Sequence, residues 1–343
     1  MKTQAAVLYK LNAPLKLETI EVPLLKTGQV LVRVLASGIC RSQINEIKGF
    51  RGEDANLPHL LGHEGTGRVH KIGPHVKKVK VGDQVVLSWI KGSGLSSRGA
   101  VYKIGQQSIN SGPIATLSEY AVISEDRLTK IPKTLPAPVA ALLGCAVLTG
   151  AGIIKNTVQV RADSAIAIFG VGGVGASAIL GAVMSECKKI IAIDIKPSAL
   201  DFARKLGATH ALLFSEQIID DIHSISPRGV DYAIEASGNK SAMEKAIAAT
   251  TNTGTTVIAG NLPRFEKICL NPFDLIKGKR IQGTWGGESK PDIDIPYYIK
   301  MFRKGKIDLD ALITRKFKLK EINQALEFLQ SSQSAGRIII NSA

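Results

Sequence analysis

The sequence predicts an α/β protein with a doubly wound parallel sheet in its second half and a β-rich first half. Three observations carry that expectation. Before Leu142 the chain reads as short β runs divided by Gly, Pro, Asn and Asp. After it, apolar strands alternate with helical stretches, the pattern that lays helices on both faces of a parallel sheet. A G-x-G-x-x-G run, residues 170–175, stands at one of the strand-to-helix joints.

In chain order, β-branched runs predict strands over 30–35 and 84–87, the second preceded by the turn pair Gly82 and Asp83. Residues 165–169 read as a buried strand, 174–185 as a helix of small residues, and 190–193 as the next strand. A helix over 198–206 is stopped by Gly207. The alternation continues through 211–214, 230–234, 243–249 and 255–259. After Gly287 the spacing is helical over 297–304 and 322–329, and the final apolar run 337–340 is a strand expected to return to the β-rich half.

A chain of 343 residues with 45% hydrophobic residues can bury two ordinary cores. The first residues lack a charged segment followed by a long apolar run, and no later stretch is apolar enough to span a bilayer. No membrane association is expected, and a cytoplasmic location is. The four cysteines (Cys40, Cys145, Cys187 and Cys269) are too widely spaced for a disulfide framework. The net charge of +15 includes a basic cluster between Lys300 and Lys320. Such a surface attracts polyanions, but no RNP, zinc-finger or helix-turn-helix pattern focuses it, so no specific nucleic-acid partner is expected.

The glycine run has the context it needs to bind a dinucleotide. Gly170 permits the turn, Gly172 lets backbone approach the pyrophosphate, and Gly175 lets helix pack on strand; Gly173 and Val174 complete the loop at the helix N-terminus. Asp194 ends the next strand, about 20 residues on, where a carboxylate meets the ribose hydroxyls. That carboxylate repels a 2′-phosphate, which favours NAD over NADP; nearby Lys196 works the other way.

Cys40, His63 and Cys145 each lie in a Gly-flanked segment upstream of this run. Singly, each is ambiguous, because buried Cys is common core filler and a lone His is usually structural. Together they supply the two thiolates and one imidazole of an open catalytic zinc site, whose fourth position is left for water or substrate.

On these residues the chain resembles the zinc-dependent medium-chain alcohol dehydrogenases over nearly its whole length. The carriers are Gly62-His63-Glu64 followed by Gly67, Gly73 and Val76, the loop from Gly38 to Ser42, and Gly144-Cys145 with Thr149-Gly150. The resemblance implies a discontinuous GroES-like catalytic domain (1–146 and 288–343) around a Rossmann NAD-binding domain (147–287). It implies one catalytic zinc on Cys40, His63 and Cys145, with Glu64 beside the metal and able to enter its coordination sphere. Ser42 would hydrogen-bond the alcohol oxygen and begin the proton relay. Arg41, Thr149 and Arg337 fall at cofactor-binding positions, the two arginines on the pyrophosphate. Trp89, Val147, Leu262 and Trp285 correspond to substrate-pocket lining. A small alcohol or carbonyl substrate and a homodimer or homotetramer joined through the cofactor domains complete the implied picture.

The departures also inform. Residues 91–98 carry none of the four cysteines that hold a second, structural zinc in many members, so a single zinc is expected. Gln43 replaces an Asp that orients the ligand histidine, and Asn45 replaces a relay His, so the relay would end at the ribose or a water. Two competing readings remain at this point. One is a zinc-free quinone or enoyl reductase of the same superfamily; the other is a non-catalytic nucleotide-binding protein. Both leave the Cys, His, Cys set without a role.

Overall fold

The computed structural model describes residues 1–331 and 333–342. In the β-rich half five strands close a barrel: Lys2–Leu8, Lys16–Glu21, Val101–Ile104, Gln107–Asn110 and His59–Leu60. A seven-stranded sheet runs Leu128–Ile131, Gln84–Ser88, Glu64–Ile72, Gln29–Ile39, Arg337–Asn341, Ile313–Lys318, with Tyr120–Ser124 also paired to Gln29–Ile39. Alternation explains how its central strand is buried on both faces. Val30, Val32 and Val34 join Val85, Leu87 and Ile123 in one apolar cluster, whereas Leu31 and Val122 enter the barrel cluster with Ile20 and Tyr102. The C-terminal strand does return here, pairing antiparallel from Ile338 opposite Ile39 to Asn341 opposite Ala36.

The second half holds six parallel strands in the order His210–Leu213, Lys189–Asp194, Ala165–Phe169, Val230–Glu235, Thr250–Ile258, Arg280–Gly283. In sequence order that is 3-2-1-4-5-6, the doubly wound arrangement of a Rossmann sheet. Ile166, Ile168 and Ile190 face one cluster while Ala167, Phe169 and Ile191 face the other, so both faces are covered by helices. Gly207, at φ +104°, ends the Pro197–Lys205 helix in the left-handed conformation that the sequence anticipates.

Some elements differ from expectation. The helix expected over 297–304 begins earlier and spans Pro291–Arg303; Pro291 suits a first turn, and Pro296 inside it hid the preceding turns. Short helices at Arg41–Ile47, Ala137–Leu142 and Ile218–Ile225 were not legible, being too brief to show a period and held by packing.

The two connections between the halves lie against each other. Gly287 (φ +68°) sits so close to the Leu148 and Thr149 carbonyls that a Cβ would approach both to 2.5 Å, and Ser289 Oγ donates to Leu148 O at 2.6 Å. Among the described residues, no helix is long and apolar enough to cross a membrane. All four cysteines are thiols.

Candidate metal centre and cofactor cleft

Sheet register, rather than sequence proximity, assembles the three soft donors. Ser37 pairs with Gly65 in neighbouring strands, so Cys40, just past the end of one strand, and His63, just before the start of the other, emerge at one edge. The His63 approach is pinned by Leu61 O, which accepts from the backbone N–H groups of Thr116 and Leu117 at 3.1 Å each. Gly62 (φ +100°) packs against Thr116 where a side chain would collide. Cys145 comes to the same edge because Gly144 presses on Leu87 O, with no room for a Cβ, and Ser88 Oγ donates to Gly144 O at 2.8 Å. The ligand atoms of Cys40, His63 and Cys145 all lie within 4.8 Å of one another.

Their electrostatics fit a cation. The hydrogen bond from Cys145 holds the Cys40 thiol well below its ordinary range, against burial, with Arg337 and His63 adding to the effect. That same bond, and then burial, push Cys145 well above it. The two thiols are pushed in opposite directions by one another, and a divalent ion that accepts both as thiolates removes the conflict. Burial disfavours protonation of His63, but its hydrogen bond to Cys40 and the charges of Cys40 and Glu64 raise its pKa overall. A borderline-soft ion that takes two sulfurs and one nitrogen and keeps a fourth position is zinc.

Glu64 is the tie between metal centre and cofactor cleft. Its fully buried carboxylate accepts from Ala146 N (2.9 Å) and Arg337 Nη2 (2.9 Å), and Arg337 Nε lies 2.9 Å from the other oxygen. Gly38 has no Cβ because that volume belongs to this carboxylate. Burial raises the Glu64 pKa and the Arg337 guanidinium partly reverses it. Glu64 therefore stands next to the donor set but outside the three clustered ligands, and coordination would require it to leave Arg337. Arg337, 3% exposed, also donates to Ile39 O at 3.1 Å and lies against Gly173 at the start of the glycine-loop helix.

The glycine loop has the shape that a pyrophosphate needs. Gly170 (φ +91°) turns the chain, Gly175 packs on the Gly170 carbonyl, and a Cβ on Gly172 would meet nothing within 4 Å, leaving an open cradle at the N-terminus of the Gly173–Met184 helix. Asp194 Oδ2 accepts from Val171 N at 2.7 Å and Oδ1 from Lys196 N at 3.0 Å, which fixes the carboxylate beside the loop. Lys196 Nζ is engaged by Ser331 O at 2.6 Å. The hydroxyls of Thr149 and Ser42 are buried and have no hydrogen-bond partner among the described residues, as groups awaiting a ligand would be. Arg41 is exposed at the first position of its helix.

Other expected residues fare differently. Gln43 does not orient His63: its Oε1 accepts from Cys40 N at 2.6 Å and caps the Arg41–Ile47 helix, because that backbone donor lies one turn away in its own chain. Trp89 and Trp285 meet edge to face with centroids 5.0 Å apart, and Trp285 is 75% exposed. Val147 is wholly buried in the core cluster and Leu262 is half-buried in the loop after the Thr250–Ile258 strand. The sequence reading missed the part played by Gly38 and Ser88; only the glycine beside Cys40 left a visible signal.

Comparison with known proteins agrees with this geometry. Residues 26–133 match the model described as alcohol dehydrogenase GroES-like domain, and residues 173–303 match that described as zinc-binding dehydrogenase. The S-(hydroxymethyl)glutathione dehydrogenase of Escherichia coli (strain SMS-3-5) is 32% identical over 372 residues, covering 99% of this chain and 100% of that protein. The crystal structure of benzyl alcohol dehydrogenase from Acinetobacter calcoaceticus superposes with a TM-score of 0.91 at 29% identity, covering 100% of both chains. An alcohol dehydrogenase zinc-binding domain protein from Burkholderia ambifaria gives 0.90 at 29% identity, covering 100% of this chain and 99% of that one.

Proposed function

Because this chain belongs to the zinc-dependent medium-chain alcohol dehydrogenases, and is thus a zinc-dependent alcohol–aldehyde oxidoreductase, we propose that it works with NAD and a single zinc. The observation that carries the reading is the convergence of Cys40, His63 and Cys145 within 4.8 Å, joined through Glu64 and Arg337 to an open glycine loop. When bound, zinc supplies the Lewis acidity that makes an alcohol hydroxyl acidic near neutral pH, and the nicotinamide supplies the hydride acceptor.

The chain's own residues do the rest. Cys40, His63 and Cys145 would hold the metal, and Ser42 Oγ accepts the hydroxyl proton while its own proton passes on to the ribose hydroxyl or a water. Gly170, Gly172, Gly173, Val174 and Gly175 seat the pyrophosphate, with Arg337 and Arg41 neutralising it and Thr149 lining the cleft. Asp194 receives the ribose hydroxyls, and the capture of Lys196 by Ser331 O supports NAD over NADP. The edge-to-face Trp89–Trp285 pair, with Val147 and Leu262, is assigned to the lining of the substrate pocket. The domains 1–146 with 288–343 and 147–287 close about the packed connection at Leu148 and Gly287. A homodimer or homotetramer fits the edge strand Arg280–Gly283, which pairs on one side only among the described residues. The four free thiols fit the cytoplasm.

Metal analysis together with an alcohol and aldehyde panel, run with both nicotinamide cofactors, tests this. One zinc per chain and chelator-sensitive reduction of NAD are expected. Two zincs, chelator-insensitive turnover or better turnover with NADP would contradict it.

A further inference from the structure

In a sheet ordered 3-2-1-4-5-6, the crevice that receives a dinucleotide opens at the carboxyl ends of the two strands where the order reverses, here Ala165–Phe169 and Val230–Glu235. Phe169 and Glu235 are paired at that point, and Gly170 of the glycine loop follows at once. Glu235 is wholly buried there, and neither the phosphate turn nor the Asp194 site accounts for it.

Every hydrogen bond to its carboxylate runs to one oxygen. Oε1 accepts from Ser237 N (2.8 Å), Gly238 N (2.9 Å) and the Ser237 hydroxyl, which itself accepts from Asn239 N at 3.2 Å. Oε2 has no hydrogen-bond partner among the described residues and fills the space beside Gly260, where a Cβ would come within 2.4 Å of it. That Cβ would also press on Gly238 N at 2.3 Å, so the turn after Glu235 and the turn after the Thr250–Ile258 strand interlock around this one side chain. The Glu235 carbonyl strengthens the tie by accepting from Ala259 N (2.8 Å) and Gly260 N (3.1 Å). Toward the glycine loop, Ala236 N donates to Phe169 O at 2.8 Å, and Ser237 lies so close to Gly170 that a Cβ there would meet it at 2.8 Å.

A buried carboxylate with one oxygen unbonded is costly, and an apolar side chain would fill the same volume without that cost. What the carboxylate alone provides is an acceptor that gathers several donors from one turn and holds that turn against the next. The glycine loop and Asp194 serve the pyrophosphate and the adenosine, which leaves the half-sheet that begins with Val230–Glu235 for the nicotinamide ribonucleotide. Resting on the NAD reading above, we infer that Glu235 is a positioning residue for the nicotinamide end of the cofactor, fixing the two turns against which that end is laid.

The test is calorimetric titration of the zinc-loaded full chain and its variants with NAD and with AMP, which carries only the adenosine half. Glu235→Ala leaves both turns to be ordered by the cofactor, so NAD affinity is expected to fall about 10- to 100-fold while AMP affinity stays within about twofold. Burial raises the Glu235 pKa, opposed by the Ser237 hydroxyl and the N–H groups of Ser237, Gly238 and Asn239, so a neutral amide is a close substitute. Glu235→Gln is therefore expected to recover NAD affinity to within about threefold of the unaltered chain. Zinc content and melting temperature check the fold. Should Glu235→Ala not fold, Ser237→Ala, which removes the hydroxyl donor alone, carries the same comparison with an expected NAD loss of about threefold. Equal losses of NAD and AMP, undiminished NAD affinity, or no recovery in Glu235→Gln would overturn the inference. An unaltered chain that binds NADP in place of NAD defeats only the proposed cofactor: the nicotinamide half is common to both, and the comparison then runs with NADP against its own adenosine half.

Discussion

In the cofactor half, the groups that meet a dinucleotide follow one another within six residues, Gly170 to Gly175, and Asp194 stands at the end of the next strand. In the β-rich half, the metal donors stand at 40, 63 and 145 and meet only through strand register, a pressed glycine and a buried ion pair. The contrast teaches where each site is vulnerable. A contiguous loop carries its function in its own backbone, and a change there stays local. A site gathered from three segments depends on every element that aligns them, and Glu64, bonded to Ala146 N and Arg337 while sitting beneath Gly38, is the piece shared by both.

If the two sites are separable in this way, the largest effect should come from the metal centre. Cys40→Ala removes one of three donors and is expected to abolish zinc retention and to lower turnover by about a thousandfold or more. Dinucleotide binding, followed by titration of tryptophan fluorescence, should persist; its loss would mean that the sites are not independent. Gly172→Val makes the reverse cut. Its φ of −75° accommodates any residue, and the added side chain fills the open cradle, so cofactor affinity should drop by about 10- to 100-fold while zinc content stays at the unaltered level. Metal analysis and the cofactor KM check both halves of that statement.

The smallest expected effect concerns how the β-rich half is held where residues 91–98 lack cysteines. Glu125 accepts from the backbone N–H groups of Lys77 and Lys78 (2.6 Å each) and Leu95 (2.7 Å), clamping this segment to the sheet with a carboxylate. Burial alone would raise its pKa, but those hydrogen bonds prevail and hold it below the usual carboxylate value. A depressed carboxylate contributes stability that is present above its unfolded pKa, near 4.3, and is lost as pH falls through the lower folded value. Glu125→Gln should therefore cost about 1–2 kcal/mol at neutral pH and flatten the acid limb of the stability curve. Urea titrations at pH 7 and at about pH 4 measure both. An unaltered acid limb would show that the clamp has no energetic weight.

Legibility followed the same divide. Ala165–Phe169 was readable to the residue, because a five-residue apolar run between turn signals admits one reading, and the glycine loop came with it. The three metal donors were visible through their residue types and flanking glycines. The cap formed by Gln43 and the tie of Glu64 to Arg337 were not, since each depends on which of several polar partners a side chain meets in the folded chain. Pro296 concealed half of a helix for a different reason: a proline reads as a stop, yet packing of Ile295, Tyr298 and Ile299 into the core carries the helix through it.

By itself the sequence determined the strand–helix alternation of the cofactor half, the chemistry of the donor set and the phosphate-binding turn, because periodicity, thiol and imidazole character and the freedom of glycine are properties of residues and short spans. Only the tertiary structure decided that Cys40, His63 and Cys145 converge and that Glu64 belongs to Arg337. Those outcomes are fixed by strand register and by competition among buried polar groups for a limited number of partners, which no local stretch of chain encodes.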